Sequence, residues 1–528
     1  MRPFSLCTAF IRLEILACVD GVNSYLPTLP ASGIRKKTRR RQSLQLRHVV
    51  IGLSNMNELK KGAEIELQIE SLAFGTKGVS RVDGFVVFVE EALPGQRLRA
   101  QIFKKKKGYA EARTLAILQQ SSAFVPPRCR HFADCGGCLL QNLDYPAQLS
   151  SKEQQVKELL QHIGGIAEPP LATVIGAPEI FFYRNKMEFS FSRQRWLTRE
   201  EIAQNEITLA KNFALGLHTR NRYDKTLAIE ECHLQSPVSN QILAIARAFT
   251  EKHELLPYTT FGHTGFWRFL VIREGKKTGE VMVNIVTAEV SGGRAAVEQL
   301  AARLRAEIPQ LTTIVHNINR SKAQIAFGDE EIVLHGPGFI RERIGAFLFQ
   351  ISANSFFQTN TLGAEKLYEL ARDFAGLTGA ETVFDLYCGA GTIAIFISPQ
   401  AKQVVGFEIV PQAIHDAGVN CHLNDVDNCT FVLGDLKDEL AQTPLLIKRW
   451  GRPDVIIVDP PRAGMHPKVV QKIIELSPRR IVYVSCNPST FARDVKELAL
   501  AGYQLKKAQP VDMFPHTSHI EVVGVLEK

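Results

Sequence analysis

Apolar and polar positions alternate in two different ways along the chain. From residue 382 onward, short runs that are apolar at nearly every position recur at 382–387, 403–408, 430–433, 454–459, 480–485 and 502–509, with a last one at 519–526. Stretches with helical spacing lie between them. Runs apolar on both faces are those of strands buried in a parallel sheet, so this part predicts a doubly wound α/β sheet. Residues 59–118 alternate apolar and polar instead, as in "AEIELQIESLA" and "GVSRVDGFVVFVEEAL", with Gly75, Gly78 and Gly84 at turns. Five or so such strands predict a small barrel of the oligonucleotide-binding type. Between the two, "PAQLSSKEQQVKELLQHIGG" reads as an amphipathic helix ending in a Gly pair, and "YRNKMEFSFS" and "FWRFLVIREGKKTGEVMVNIVT" as strands. The boundaries that follow are a tail over 1–56, a β-barrel over 57–120, a mixed α/β unit over 124–350 and the α/β sheet domain over 351–528. There are no internal repeats.

A length of 528 residues has room for about three domains. The hydrophobic fraction of 45% and charged fraction of 22% are those of a soluble globular protein. No apolar run reaches the ~18 residues of a spanning helix, so no membrane association is expected. The net charge is +9, but residues 1–56 hold nine Lys/Arg and two acids, a net of +7, which leaves +2 for the rest. Nucleic-acid binding must then come from local patches. One candidate is Lys104 to Lys107 followed by Tyr109, four ammonium groups beside an aromatic ring that suit single-stranded RNA. The tail, with "RKKTRRR" at 35–41, reads as a disordered extension ahead of Met56, and an organellar transit peptide is the lesser alternative.

Ten cysteines without the dense, even spacing of a secreted disulfide scaffold place the chain among reduced, cytoplasmic proteins. Three crowd into "CRHFADCGGC": Cys129, Cys135 and Cys138, with Cys232 94 residues further on. Structural zinc usually shows two C-x2-C pairs. One pair, a flanking cysteine and a remote one suit a cubane iron–sulfur cluster better.

The strand ends carry further chemistry. "TVFDLYCGAGTIAIFI" is strand, Gly-rich turn and helix, in which Gly389, Gly391 and Ala394 fit G-x-G-x-x-A, and Glu408 closes the next strand 19 residues after Gly389. Glycines let the backbone approach a ligand and the carboxylate accepts from ribose hydroxyls, a geometry shared by nicotinamide and S-adenosylmethionine proteins. Asp385, placed to meet a cationic ligand, and Asp435 in "VLGD", placed to meet an adenine amino group, favour S-adenosylmethionine. The fourth strand ends in "IIVDPPRAG", where Asp459 precedes a rigid Pro460–Pro461 turn. The fifth ends in "IVYVSCNPSTFARD". Cys486 stands there at the strand's carboxyl end, and Ser489 or Thr490 is expected to cap the helix that follows Pro488. A single such cysteine is most often a small buried hydrophobe. Asp435, Asp459 and Cys486 at three successive strand ends argue for a site.

"ISANSFFQTN", "DLYCGAGT", "DPPRAG", "SCNP" and "DMFPHTSHIE" together resemble the RNA uracil-5-methyltransferases, and "YRNK", "FWRFLVIR" and the N-terminal strands resemble the branch acting on 23S ribosomal RNA, whose barrel is called TRAM. The likeness covers 57–528. It implies a Rossmann-like class I methyltransferase domain, a central mixed α/β domain with a [4Fe–4S] cluster on Cys129, Cys135, Cys138 and Cys232, and an OB-like TRAM barrel that binds RNA. It implies that Gln358, Tyr387, Thr392, Glu408, Asp435 and Asp459 line the S-adenosylmethionine site, with Cys486 as nucleophile and Glu521 as base. Thr392 stands where some relatives carry Asn. The chemistry suits these residues. Carbon 5 of uracil is a poor nucleophile, and a thiolate adding to carbon 6 turns the ring into an enolate that takes the methyl group. A base then removes the carbon 5 proton and the thiol leaves. Cys486 is therefore expected in a cationic or helix-N-terminal field, and the target base is expected flipped out of its stack. His516, His519 and Glu521 also form a possible metal set, but without a fourth ligand nearby. The expected protein is a monomer acting on 23S rRNA. The alternatives are a transfer RNA uridine methyltransferase, a non-catalytic iron–sulfur RNA-binding or assembly factor, and a nicotinamide oxidoreductase, which has no use for "SCNP".

Overall fold

The computed structural model describes residues 59–204, 211–220 and 222–528. The tail expected over 1–56 lies outside them. Strands β1 (Glu64–Gln68), β2 (Ser71–Leu72), β3 (Gly78–Val82), β4 (Phe85–Glu90), β5 (Arg97–Lys105) and β6 (Tyr109–Gln119) form one sheet in the order β1-β5-β6-β4-β3-β2. The alternation holds: Leu98, Ala100, Ile102, Ala110 and Ala112 turn inward into a shared core while Arg97 and Arg99 stay exposed. Among the described residues no ladder pairs β1 with β2, so the expected barrel is found as an open, six-stranded sheet. The lysine patch is partly neutralised. Lys104 and Lys77 both pair with Glu111, and Lys105 lies 5.6 Å from the Phe85 ring.

The middle of the chain forms a second sheet from β7 (Lys186–Ser192), β8 (Ala214–Thr219), β9 (Arg222–Ala228), β10 (Trp267–Glu274), β11 (Val281–Thr287), β12 (Leu311–Ile318) and β13 (Glu330–His335), in the order β13-β12-β11-β10-β7-β8-β9. Every residue of β10 and β11 is buried. The helices Pro237–Thr250 and Gly293–Glu307 supply Ile242, Leu243, Val297 and Leu300 to the same core. A hairpin, β14 (Phe339–Ile344) and β15 (Phe347–Ser352), leads into the last domain.

That domain contains β16 (Thr382–Leu386), β17 (Gln403–Glu408), β18 (Cys429–Leu433), β19 (Val455–Val458), β20 (Arg480–Ser485), β21 (Gln504–Val511) and β22 (Glu521–Glu527), each within two residues of the expected span. Their order is β18-β17-β16-β19-β20-β22-β21. The chain steps outward from β16 through β17 to β18, then returns to lay β19 on the other side of β16. The crevice past the carboxyl ends of β16 and β19 is thus a topological switch point, where open α/β sheets bind their ligands. β16 to β20 run parallel, whereas β22 is antiparallel to β20. That reversal brings the first residue of β22 to the same edge as the last residues of β20.

The helix Tyr145–His162 ties the first sheet to the last domain, Gln155 Nε2 donating to the Leu72 carbonyl at 3.1 Å. Lys152 Nζ lies 2.7 Å from Asp512 Oδ1, with both side chains buried. Just after the cysteine loop, the amides of Leu139 and Leu140 donate to the His516 carbonyl at 2.8 and 3.0 Å. No helix among the described residues is long and apolar enough to cross a membrane.

Candidate active site

The Gly-rich turn begins where β16 stops. Tyr387, Gly389 and Gly391 all have positive φ, at 65°, 52° and 73°. Gly391 is required twice over: besides its φ, a Cβ there would stand 2.7 Å from Phe431 and 3.0 Å from Ala417. At Gly389 a Cβ would meet nothing within 4 Å, so the backbone faces open space. Glu408, at the end of β17, receives the Gly389 amide on Oε2 at 3.1 Å and the Ile409 and Val410 amides on Oε1 at 2.8 and 2.9 Å. Asp385 lies beneath, fully buried, with neither carboxylate oxygen in a hydrogen bond. Burial first, then the charges of Asp459 and Glu408, push its carboxyl well above the ordinary range.

Other expected cofactor residues are differently engaged. Thr392 Oγ1 is 2.9 Å from the Tyr368 hydroxyl. Gln358 offers its carbonyl to Asn185 Nδ2 at 2.9 Å. Asp435 caps the short helix Leu436–Glu439, accepting from the Lys437 amide at 3.0 Å, and the Lys437 ammonium is also 3.0 Å away. Burial works against Asp435, but Lys437 and then His466 hold its carboxyl below the ordinary range. It stays ionised and partly occupied, which the sequence reading did not foresee.

Cys486 and Glu521 meet because of strand register. Ser485 pairs with Val522 across β20 and β22, so the next step along the ladder sets Cys486 opposite Glu521. Asp459, one residue past β19, completes the cluster. Burial and the Asp459 charge raise Glu521 to about 8, against the pull of Arg462, and burial raises Asp459 to about 7. Burial, then Glu521 and Asp459, push the Cys486 thiol up to about 12, with Arg462 pulling it down. The expected thiolate-favouring surroundings are thus reversed in the ligand-free fold: two carboxyls outweigh one guanidinium. The helix Pro488–Leu500 does start beside Cys486, but Asn487 caps it, accepting from the Ser489 amide at 3.1 Å. Pro488 occupies the first helical position, which moves the cap one residue earlier than the expected Ser489 or Thr490. Asn487 Nδ2 also holds the Arg462 carbonyl at 2.9 Å. Arg462, inside the quoted "DPPRAG", was given no role by sequence reading, yet it is the cation that acts on both Cys486 and Glu521.

The family model described as tRNA (Uracil-5-)-methyltransferase matches residues 280–528, and that of the TRAM domain matches 58–115. A protein of Chlorobaculum tepidum named as an uncharacterized RNA methyltransferase is 42% identical over 472 residues, covering 89% of this chain and 97% of that one. Another of the same description from Porphyromonas gingivalis is 42% identical over 466 residues, covering 87% and 99%. The chain belongs to the RNA uracil-5-methyltransferase family. Among solved structures it is similar to the Pyrococcus abyssi tRNA (uracil-54, C5)-methyltransferase in complex with S-adenosyl-L-homocysteine, with 29% identity, a TM-score of 0.66 and coverage of 88% of this chain and 100% of that one.

The residues of this methyltransferase fit a sulfonium cofactor: bare buried carboxylate oxygens on Asp385, a second carboxylate at Asp459, and open space at Gly389. The two histidines are not part of a metal set. His516 is buried between Gln148, whose Oε1 accepts its amide at 2.9 Å, and the Leu139–Leu140 amides. His519 Nε2 faces Arg462 at 3.3 Å. Burial, and for His519 then Arg462 and Lys152, lower both rings to about 4, so they are neutral near pH 7.

Far from this edge in sequence, Cys129, Cys135, Cys138 and Cys232 line one cavity of 450 Å³, together with Arg184, His233 and Thr359. The thiols feel one another: Cys232, Cys135 and Cys129 each raise Cys138, after burial, to about 12. Among the described residues no group of three or more His, Cys, Asp or Glu is placed to hold a metal ion. Four thiols about one ion would sit ~4 Å apart, given sulfur–zinc distances of about 2.3 Å. A four-iron cluster binds its cysteines at separate corners and needs a wider cage. The four thiols lining the cavity are the donor type that such a cluster takes.

Proposed function

We propose that this chain methylates carbon 5 of a uridine in 23S ribosomal RNA through a covalent Cys486 adduct. The observation that carries the reading is the register that sets a half-buried thiol opposite a buried carboxyl at the switch-point edge, beside the Gly-rich turn. S-adenosylmethionine, when bound, supplies an electrophilic methyl group. Cys486 Sγ adds to carbon 6 of the flipped base, and Arg462 stabilises the thiolate as it forms. Glu521 takes the carbon 5 proton once the methyl group is in place, and Cys486 is then expelled. Asp459 and Asp385 face the cationic ligand, whose charge lowers both carboxyls and offsets the Asp459 charge that holds Glu521 up. Asp459, Tyr387, Glu408, Gln358, Thr392 and Asp435 orient the cofactor in this reading. The methyl transfer draws on no redox chemistry. A [4Fe–4S] cluster on Cys129, Cys135, Cys138 and Cys232 would hold the 129–138 loop against the 229–234 segment.

The four-thiol cavity and the TRAM match support ribosomal RNA, because the resemblance that includes both is to the 23S branch. The likeness to a tRNA (uracil-54, C5)-methyltransferase supports the second reading, a transfer RNA substrate. Mass mapping of methylated uridines in 23S rRNA and in tRNA, from cells with and without the protein, separates them. Loss of a single 23S methyluridine is expected; loss from tRNA alone selects the second reading, and no loss from either overturns both. Protein purified without oxygen is expected to be brown with about four irons per chain, and stoichiometric zinc without iron would overturn the cluster assignment.

A further inference from the structure

A buried carboxylate that neither site uses stands on the helix that follows Cys486. Asp494, in the helix Pro488–Leu500, is 2% exposed. Its Oδ2 accepts from the Tyr483 hydroxyl of β20 at 2.7 Å and from the Met465 amide at 2.9 Å, and its Oδ1 accepts from Arg493 Nε at 2.8 Å. Arg493 Nη2 donates in turn to the Ala463 carbonyl at 3.1 Å and to the Met465 carbonyl at 3.2 Å. At the head of the same helix, Asn487 Nδ2 donates to the Arg462 carbonyl at 2.9 Å.

We infer that Asn487, Arg493 and Asp494 are positioning residues, which grip the turn after Pro461 and so set Arg462 at the edge where Cys486 meets Glu521. The spacing in "NPSTFARD" suits the task. Asn487, Thr490 and Asp494 are three and four residues apart, so they share one face of the helix, and Arg493 flanks it. The turn lies flush on that face. Gly464 has a φ of 75°, and a Cβ there would stand 2.6 Å from Arg493 Nη2, 2.8 Å from Thr490 Cβ and 2.9 Å from Asp494 Oδ2. The Gly464 amide donates to the Pro461 carbonyl at 2.8 Å, which closes the turn on itself.

The backbone from 462 to 465 is thus held at the carbonyls of Arg462, Ala463 and Met465 and at the amides of Gly464 and Met465. Arg462 itself is exposed, so this backbone grip is what fixes the root of its side chain. Both ends of the residue lie at the catalytic edge. Its carbonyl is held by the residue next to Cys486, and its guanidinium reaches His519 Nε2 at 3.3 Å, two residues ahead of Glu521. One short helix therefore carries the thiol at its start and the means of placing the cation along its flank.

The inference rests on the reading of Arg462 as the cation that favours the Cys486 thiolate. The test measures how fast iodoacetamide alkylates Cys486 in the full-length protein over a pH series, read by peptide mass mapping. Alkylation follows the thiolate fraction. Arg462→Ala is expected to slow it about tenfold at each pH, as loss of a nearby opposite charge does. Arg493→Met should slow it about threefold, and so should Asn487→Ser, in which serine keeps the helix cap and loses the donor to Arg462. S-adenosylhomocysteine affinity should stay within about twofold of wild type in both. Arg462→Ala/Arg493→Met should be no slower than Arg462→Ala, because changes that act through one group do not add. Additive slowing in that double variant, wild-type rates in both Arg493→Met and Asn487→Ser, or a parallel loss of cofactor affinity would overturn the positioning role. A wild-type rate in Arg462→Ala would overturn the reading of Arg462, and the positioning role with it.

Discussion

In both the thiol-lined cavity and the Cys486 edge burial drives thiols to about 12, at Cys135 and Cys138 in one and at Cys486 in the other. Their neighbours separate them. Around Cys138 the charged perturbers are other cysteines, so each ionisation makes the next harder. Around Cys486 they are Glu521, Asp459 and Arg462, which make ionisation conditional on what binds. A raised thiol is thus no sign of function by itself; the groups beside it decide what could lower it. The regions also share a wall. Thr359 lines the cavity next to Gln358. Asn185 donates its amide to the Thr359 carbonyl at 2.9 Å and its side chain to the Gln358 carbonyl and Thr361 Oγ1, each at 2.9 Å.

The strongest way to break the comparison is to remove the conditional thiol. Cys486→Ala is expected to lower methyl transfer by at least ~10⁴-fold while iron content stays unchanged. Glu521→Gln should still attack and methylate, then stall. With methyl-labelled cofactor and target RNA, a labelled adduct surviving a denaturing gel is expected from Glu521→Gln and not from Cys486→Ala/Glu521→Gln. Free turnover by Glu521→Gln at the wild-type rate would remove Glu521 from the role of base. Cys232→Ser should do the opposite, losing iron and soluble yield together; full iron in that variant would show the wrong fourth ligand.

The Lys152–Asp512 pair lies between the two regions, on the helix that follows the cysteine loop and the segment that leads to Glu521. Lys152→Ala would leave Asp512 buried without its cation, at a cost of about 3–5 kcal/mol in unfolding free energy. Lys152→Met/Asp512→Leu, which removes both charges, is expected to regain most of it in the same denaturant titration. A single variant as stable as wild type would mean that water reaches Asp512 and that the pair is not what joins the two regions.

How much of this was legible in the sequence depended on the kind of interaction. The seven strands of the last domain were legible because runs apolar on both faces have few other uses. Their order was not, since nothing local says that β19 returns beside β16. Cys486 and Glu521 could be singled out from "SCNP" and "HTSHIE", but the reason they meet is an antiparallel register set over long range. Asp435 was read as a free acceptor. The lysine two residues on was the missed signal, because a short helix capped by Asp435 brings Lys437 back to it. The lysine run looked like an open patch for a similar reason: Glu111 faces Lys104 only once β5 and β6 pair. Arg462 stands only three residues after Asp459, but an arginine in a proline turn gives no hint of the thiol it faces.

Asn185→Ala sharpens the comparison by cutting the shared wall. It removes two side-chain hydrogen bonds at 2.9 Å while leaving the cavity thiols and the catalytic edge intact. Loss of such bonds is worth roughly 1–3 kcal/mol. If the cavity and the cofactor loop are coupled, S-adenosylhomocysteine should bind about tenfold more weakly, and removing the iron should cost the variant less affinity than it costs wild type. Equal losses in both would mean that the two regions share a wall but no coupling.

The smallest expected effect is in the pH profile, and it concerns the Cys486 edge alone. Glu521 is a carboxyl raised to about 8 by burial and then by Asp459. Below that pH it carries its proton and cannot act as a base; above it, it can. For a midpoint at about 8 the ionised fraction rises about fivefold from pH 7 to pH 8 and less than twofold from pH 8 to pH 9, and the release of the carbon 5 proton should follow a curve of that shape. A cofactor-loaded enzyme should show the same curve displaced to lower pH, because a positive charge near Asp459 favours the ionised carboxylates. Tritium release from 5-tritiated uridine RNA, in single turnover at saturating cofactor, reads this step directly. Asp459→Asn takes away the like charge that helps hold Glu521 up and should move the midpoint further down. A midpoint that stays fixed in that variant would leave burial as the sole cause, and a flat profile would mean that the proton leaves to some group other than Glu521.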